Sequence, residues 1–247
     1  MPTIHLVDGE KGGIGKSLFC KCLNHYFESH KIDYILIDAD PNNPDVAEVY
    51  DGITNIHFKA SDEATAMNSK SSAKVDQIFE MAFANPVLVN LPANIHQQVA
   101  YWILDNNLLD GEIVTKAEVK ICKWFLSNGS YNSINLFLNS LNTFEGKLPH
   151  CFVRNYGICL DWTTVDEREE FKQAKSKYEF GDIGFPGLRA TERDYLEENR
   201  VPFSLALEDS GLPILSRQRL TKFLRQTIDE IEQSGLLALS QTEAQSA

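Results

Sequence analysis

The chain is short of positive charge: 23 Lys and Arg stand against 35 Asp and Glu, for a formal net charge of −12. A surface this acidic repels phosphate backbones at long range, so nucleic-acid binding would need a local basic patch. Cysteine is sparse, with 5 in 247 residues (Cys20, Cys22, Cys122, Cys151 and Cys159). Their odd number and irregular spacing argue against a disulfide framework and for a reducing, cytoplasmic setting. Cys20 and Cys22 are two apart on a predicted helix, so they face different ways and make a poor metal pair. Long apolar runs are missing, and no stretch approaches the roughly 18 residues of a membrane span. The start, MPTIHLVDG, has no basic segment ahead of an apolar run and reads as a first strand. There is no internal repeat and no heptad run.

What is present is an alternation of short apolar runs and helical patterns. The hydrophobic fraction of 43% and charged fraction of 23% are ordinary for a soluble globular protein. Strands are expected at Ile4–Val7, Tyr34–Ile37, Pro86–Val89, Val119–Leu126, His150–Val153 and Ile183–Phe185. Helices are expected from Lys16 to Ser29, Val75 to Ala84, Gln97 to Leu109, Tyr131 to Leu141, Val165 to Lys175, Thr191 to Glu198 and Ser216 to Glu232. Strands without in/out alternation, separated by amphipathic helices, imply an α/β fold. Its mostly parallel sheet would carry helices on both faces, in three layers. One domain over 1–235 is expected, with 236–247 as a flexible tail. Ala60 to Lys74 lacks a core pattern and reads as mobile.

The sharpest local signal is Lys11-Gly12-Gly13-Ile14-Gly15-Lys16-Ser17, between the first strand and the first helix. Glycines at 12, 13 and 15 let backbone N–H groups curl around phosphate oxygens. A helix opening near Lys16 aims its positive end at the same anion. Lys16 supplies a point charge for the outer phosphates, and the Ser17 hydroxyl suits a Mg²⁺ ligand. Ile14 and Leu18 complete the nucleotide-contacting run. A bland glycine turn ahead of a helix is the competing reading, and the strand-to-helix context disfavours it.

This loop resembles the deviant Walker A motif of the MinD/ParA group, which includes the nitrogenase iron protein and arsenical-pump ATPases. The resemblance implies a P-loop NTPase fold and Mg²⁺-ATP as ligand. It also implies a role for Lys11 across a nucleotide-dependent homodimer, at the partner's nucleotide. Glu10 stands where the ordinary Walker pattern has glycine, and its carboxylate is expected to point away from the phosphates.

A second motif, Ile35-Leu36-Ile37-Asp38-Ala39-Asp40-Pro41-Asn42, resembles the group's hydrophobic strand ending in Asp-x-Asp-Pro. Two carboxylates at a strand end beside a phosphate loop suit a metal ion or water between them; as a bare motif they could equally cap a turn. By the resemblance, Asp38 lies near the Mg²⁺ shell and Asp40 positions the attacking water. A third strand should end in Asp-x-Pro-Ala and reads Asn90-Leu91-Pro92-Ala93. Asn lacks the charge that holds Mg²⁺ and its waters, so hydrolysis is expected to be slow, and Asn90→Asp to raise it or lower the Mg²⁺ requirement. Phe152-Val153-Arg154-Asn155 resembles the strand whose Asn reads the adenine edge. Phe185-Pro186-Gly187 resembles the loop that packs on the base.

Among the group's branches, an iron–sulfur role is disfavoured because Cys122 and Cys151 fall within or at the edge of strands. Membrane targeting is disfavoured because Leu236-Leu237-Ala238-Leu239-Ser240 is short and carries no Lys or Arg. DNA contact would fall on Arg217, Arg219, Lys222 and Arg225, which could equally be a solvated helix face. The acidic charge and the Val89–Ala93 phrase look more similar to plasmid transfer and mobilisation ATPases than to chromosome-partition ones. The expected function is a slow Mg²⁺-ATPase and ATP-dependent dimerisation switch. The alternatives are a nucleotide-gated adaptor with little turnover or, less favoured, a small-molecule kinase or ligase.

Overall fold

The computed structural model describes residues 3–9, 11–58 and 72–237. Glu10, the 60–71 part of the segment read as mobile, and 238–247 therefore lie outside the described residues. The strands are β1 (Thr3–Asp8), β2 (Ile35–Asp38), β3 (Val87–Asn90), β4 (Lys120–Ser127), β5 (His150–Asn155) and β6 (Gly181–Phe185). The helices are α1 (Lys16–Ser29), α2 (Ser72–Met81), α3 (His96–Asp105), α4 (Glu112–Ala117), α5 (Tyr131–Thr143), α6 (Thr163–Glu167), α7 (Glu169–Lys177), α8 (Ala190–Asn199), α9 (Phe203–Glu208) and α10 (Ile214–Gln233).

The strands form one sheet in the order β2-β3-β1-β4-β5-β6, and every pairing is parallel. β1, β3 and β5 are buried along their whole length. That is the burial their unalternating sequences require, since a parallel sheet is covered on both faces. One face packs α1, α8, α9 and α10 through Phe19, Leu23, Leu196, Phe203 and Leu220 against Val7, Leu88, Trp124 and Val153. On the other face α2, α3 and α4 cover Ile4, Leu6, Val87 and Ile121. There α5, α6 and α7 cover Phe125 and Phe152. The fold is thus the three-layer α/β architecture of a P-loop protein, as expected.

Several boundaries differ from the sequence reading. α2 opens at Ser72, so 72–74 are helical and not part of a mobile stretch. The helix expected from Val165 to Lys175 is broken at Arg168, whose backbone is extended. Its guanidinium reaches Asn135 and the carbonyl of Tyr131. α4 and α9 were missed because six residues are too few to show a period; among the described side chains Val114 is buried in the first, and Phe203 and Ala206 in the second. Leu236 and Leu237, assigned to the tail, are buried in the core with α1 and α10.

Parallel pairing brings the C-terminal ends of all six strands to one rim. Asp8, Asp38, Asn90, Ser127, Asn155 and Phe185 end their strands there. Ligands of open parallel sheets bind at this rim, where loops leave strands for helices.

Candidate functional site

The loop after β1 is built for close approach. Gly13 and Gly15 have φ of +72° and +94°, conformations that side-chain-bearing residues avoid. At Gly15 a Cβ would also come within 2.7 Å of Asn155 Nδ2. Gly15 caps α1 without any side-chain bond, and no acidic residue stands in the helix's first turn. The first N–H groups of α1 therefore meet an approaching anion with the helix dipole behind them. Lys16 is 8% exposed and curls back over the loop, its Nζ donating to the Lys11 carbonyl at 2.7 Å. Its ammonium is thereby held beside the cradle.

A cavity of about 680 Å³ opens from this loop. Its walls include Gly12, Gly13, Gly15, Lys16, Ser17 and Leu18 from the loop and α1. Asp40 and Tyr50 come from the segment after β2, Asn155 from the end of β5, and Pro186 and Leu188 from beyond β6. The size suits a nucleotide-scale ligand. Pro186, expected to pack on the base, borders this cavity. Ile14 is instead buried in the core beneath the loop.

Asn155 is engaged on both sides of its amide. Nδ2 donates to the Ile14 carbonyl at 2.8 Å, and Oδ1 accepts the Gly157 N–H at 2.8 Å. In this arrangement it clamps the phosphate loop to the end of β5, although its side chain still borders the cavity.

The acidic pair divides its work. Asp38 is fully buried. Its Oδ2 accepts the N–H groups of Val46 and Ala47, both at 3.0 Å, and its Oδ1 accepts those of Asp40 and the Asn90 side chain. It holds the 40–47 turn in place. Asp40 is half-exposed, borders the cavity and accepts N–H bonds from Asn42 and Asn43 at 3.0 and 3.1 Å. Both carboxylates cap the turn after β2, and Asp40 in addition borders the cavity.

Asn90 sits directly across from Asp38 in the β2–β3 register. Its Nδ2 donates to Asp38 Oδ1 at 3.0 Å, while its own Oδ1 is buried without a hydrogen-bond partner. A buried acceptor of this kind fits a water of a hydrated cation. Ser17 and Asp40, both on the cavity wall, offer oxygens that suit Mg²⁺ held mainly by phosphate oxygens.

The amide also changes what a carboxylate at 90 would do. In Asn90→Asp the donor to Asp38 is lost and two buried carboxylates face one another. Like charges at that distance cost about 1–3 kcal/mol or more. The variant is expected to melt at lower temperature in the absence of divalent cation and to recover with Mg²⁺-ATP. A melting-temperature series with EDTA, Mg²⁺ and Mg²⁺-ATP checks this; an unchanged value in EDTA would refute it.

Lys11 has a partner within its own chain. Its Nζ donates to Ser130 Oγ at 3.2 Å, and Ser130 is the N-cap of α5. A cation at a helix N-terminus opposes the dipole, so the contact is weak and easily exchanged. Ser130 was not foreseen, since nothing in Ser127-Asn128-Gly129-Ser130 marks it beyond a turn.

The basic helix face is not four free cations. Arg219 donates through Nε and Nη2 to buried Glu192 at 3.0 and 2.6 Å, and also to Ser216. Arg217 is half-buried, and Lys222 and Arg225 are exposed. Arg219 thus ties α10 to α8. Among the described residues no three His, Cys, Asp or Glu side chains gather as a metal cage. No helix there is long and apolar enough to cross a membrane.

No family model matches the chain. A curated relative, Protein MobD of Acidithiobacillus ferrooxidans, is 26% identical over 231 residues, covering 90% of this chain and 92% of that protein. Among solved structures, MinD of Aquifex aeolicus is similar with a TM-score of 0.49 at 15% identity, over 93% of this chain and 98% of that one. A nucleotide-binding protein from Archaeoglobus fulgidus in complex with ADP gives 0.49 at 14% identity, over 81% and 87%. A putative plasmid partition protein from Borrelia burgdorferi bound to AMPPNP gives 0.45 at 14% identity, over 94% and 99%.

Proposed function

We propose that this chain is an ATP-binding protein of the MinD/ParA type, a slow Mg²⁺-ATPase that works as a nucleotide-dependent dimerisation switch in the plasmid-mobilisation branch. The observation that carries the reading is the loop itself: a glycine cradle at a helix N-terminus, a lysine folded over it, and a nucleotide-sized cavity opening from it. The near full-length similarity to a MobD protein supports the branch. Mg²⁺, when bound with the triphosphate, supplies charge for the developing phosphate oxygens. Lys16 holds the outer phosphates, Ser17 offers its hydroxyl to the ion, and Asp40 orients water at the cavity wall. Asn90 offers only a neutral carbonyl where the group's Asp would bring charge, which is the reason for slow turnover.

Lys16→Ala is expected to weaken Mg²⁺-ATP binding by about ten- to a hundredfold, the worth of one strong charge-assisted contact. Isothermal calorimetry measures it. No heat from wild type at millimolar nucleotide, or equal affinity in the variant, rejects the site.

Lys11 gives the second test. Its hold on Ser130 is weak, which suits a residue that changes partner on association. Sedimentation with a non-hydrolysable ATP analogue is expected to show a dimer for wild type and a monomer for Lys11→Ala, with ATP affinity little changed. A dimer in both, or in neither, removes the switch. The second reading, a nucleotide-gated adaptor with little turnover, is favoured by the neutral Asn90; single-turnover phosphate release separates the two.

A further inference from the structure

Lys123 is out of place by composition. β4 reads KICKWFLS, and its fourth residue is a lysine between Cys122 and Trp124 in a sheet covered on both faces. It is 0% exposed. Its Nζ lies 2.9 Å from Oδ2 of Asp8, also 0% exposed, and donates to Ser140 Oγ at 3.3 Å. Behind it the Ser140 hydroxyl meets His150 Nε2 at 2.9 Å. Taking two charges out of water costs about as much as their attraction returns, so such a pair is weak evidence for stability. Another reason for its presence is needed.

The position supplies one. Asp8 is the last residue of β1 and immediately precedes the loop. Its second oxygen, Oδ1, accepts the N–H of Gly9 at 2.6 Å. Gly9 runs through a tight gap, where a Cβ would come within 2.2 Å of Ile14 Cδ1 and 2.9 Å of the Leu126 carbonyl. The orientation of this peptide decides where the glycine cradle begins. Lys123 grips one oxygen of Asp8 while the other holds the loop entrance. Its charge also cancels a carboxylate that would otherwise stand close under a polyanion.

We propose that Lys123 and Asp8 are positioning residues that preset the phosphate loop for its ligand. The inference rests on the nucleotide-binding reading for its purpose, but not for its geometry. The test is Asp8→Leu combined with Lys123→Met, which removes both charges together. Three quantities are measured: melting temperature without nucleotide, amide hydrogen exchange of the 9–17 peptide without nucleotide, and Mg²⁺-ATP affinity by calorimetry.

The double variant is expected to melt at or above the wild-type temperature. Its 9–17 peptide should exchange at least tenfold faster, and its ATP affinity should fall at least tenfold. Wild-type loop exchange at an equal melting temperature overturns the proposal, as does wild-type affinity. If wild type binds no ATP while the variant's loop exchange accelerates, the nucleotide reading fails and the positioning pair stands. Asp8→Asn with Lys123→Met keeps a neutral acceptor for Gly9 that nothing then orients. It is expected to show the same changes by smaller factors, and it decides the matter if the leucine version does not fold.

Discussion

Acidifying the protein from pH 7 to pH 5 is expected to remove about 4 kcal/mol of its unfolding free energy through two histidines alone. His5 and His150 are buried within the structure, and burial pushes each down to about 3 from an ordinary 6.5. The ammonium of Lys123 adds to the effect at His150. Trp124 Nε1 donates to His5 Nδ1 at 3.3 Å, which assigns the ring's proton to Nε2 and leaves no place for a second one. In the unfolded chain both rings take up a proton below pH 6.5, whereas in the folded chain they stay neutral until about pH 3. Stability is therefore fully present above 6.5 and lost as pH falls toward 3. Each ring contributes about 1.4 kcal/mol per pH unit in that window, or about 2 kcal/mol by pH 5. Urea denaturation between pH 7.5 and 4.5 reads the slope. A midpoint that does not move between pH 6.5 and 5 would mean that these rings charge in the folded state.

Lys123→Met alone is expected to cost about 3–5 kcal/mol, the usual penalty for leaving one member of a buried ion pair without its counter-charge. The methionine fills the lysine's volume, so packing against Phe144, whose ring lies 5.3 Å from Nζ, changes little. The loss is electrostatic and falls on the Asp8 carboxylate. For a protein whose total stability is about 5–15 kcal/mol, the single variant stands near the edge of folding. Chemical denaturation at neutral pH measures it. A loss below about 1 kcal/mol would show that Asp8 finds water or a proton once Lys123 is gone.

The sequence carried the layers and the rim well and the connections between its residues poorly. Strands such as β3, expected at Pro86–Val89, were legible because a strand buried on both faces must be apolar along most of its length. The phosphate loop was legible because three glycines, a lysine and a serine in one short run have one economical use. Nothing local could show that Asn155 would clamp Ile14, 141 positions away, or that Lys11 would rest on Ser130. Both depend on which strands become neighbours. The pairing of Arg219 with Glu192 was hidden for the same reason, and it takes one arginine of a helix face read as basic into a packing contact. Lys123 did leave a signal, a charge inside an apolar strand, and it passed as strand because hydropathy averages over its neighbours. Short helices such as Glu112–Ala117 were missed because six residues are too few to show a period.

The strand order has a consequence for how the chain is made. β1 and β2 are consecutive in sequence but not neighbours in the sheet; β3 lies between them, and the other flank of β1 belongs to β4. While residues 3–58 emerge from a ribosome, neither strand has its neighbour in the sheet, and β2 has the isolated bridge between Ile37 and Thr54. The earliest sheet pairings become available only when Val87–Asn90 has been synthesised, at a pace of about 5–20 residues per second. Until then, the glycines at 12, 13 and 15 follow a strand that has nowhere to dock. The most informative segment of the sequence is thus translated before β3 and β4, the strands that flank β1, and it must wait several seconds for its scaffold, in the hands of whatever shields nascent apolar strands.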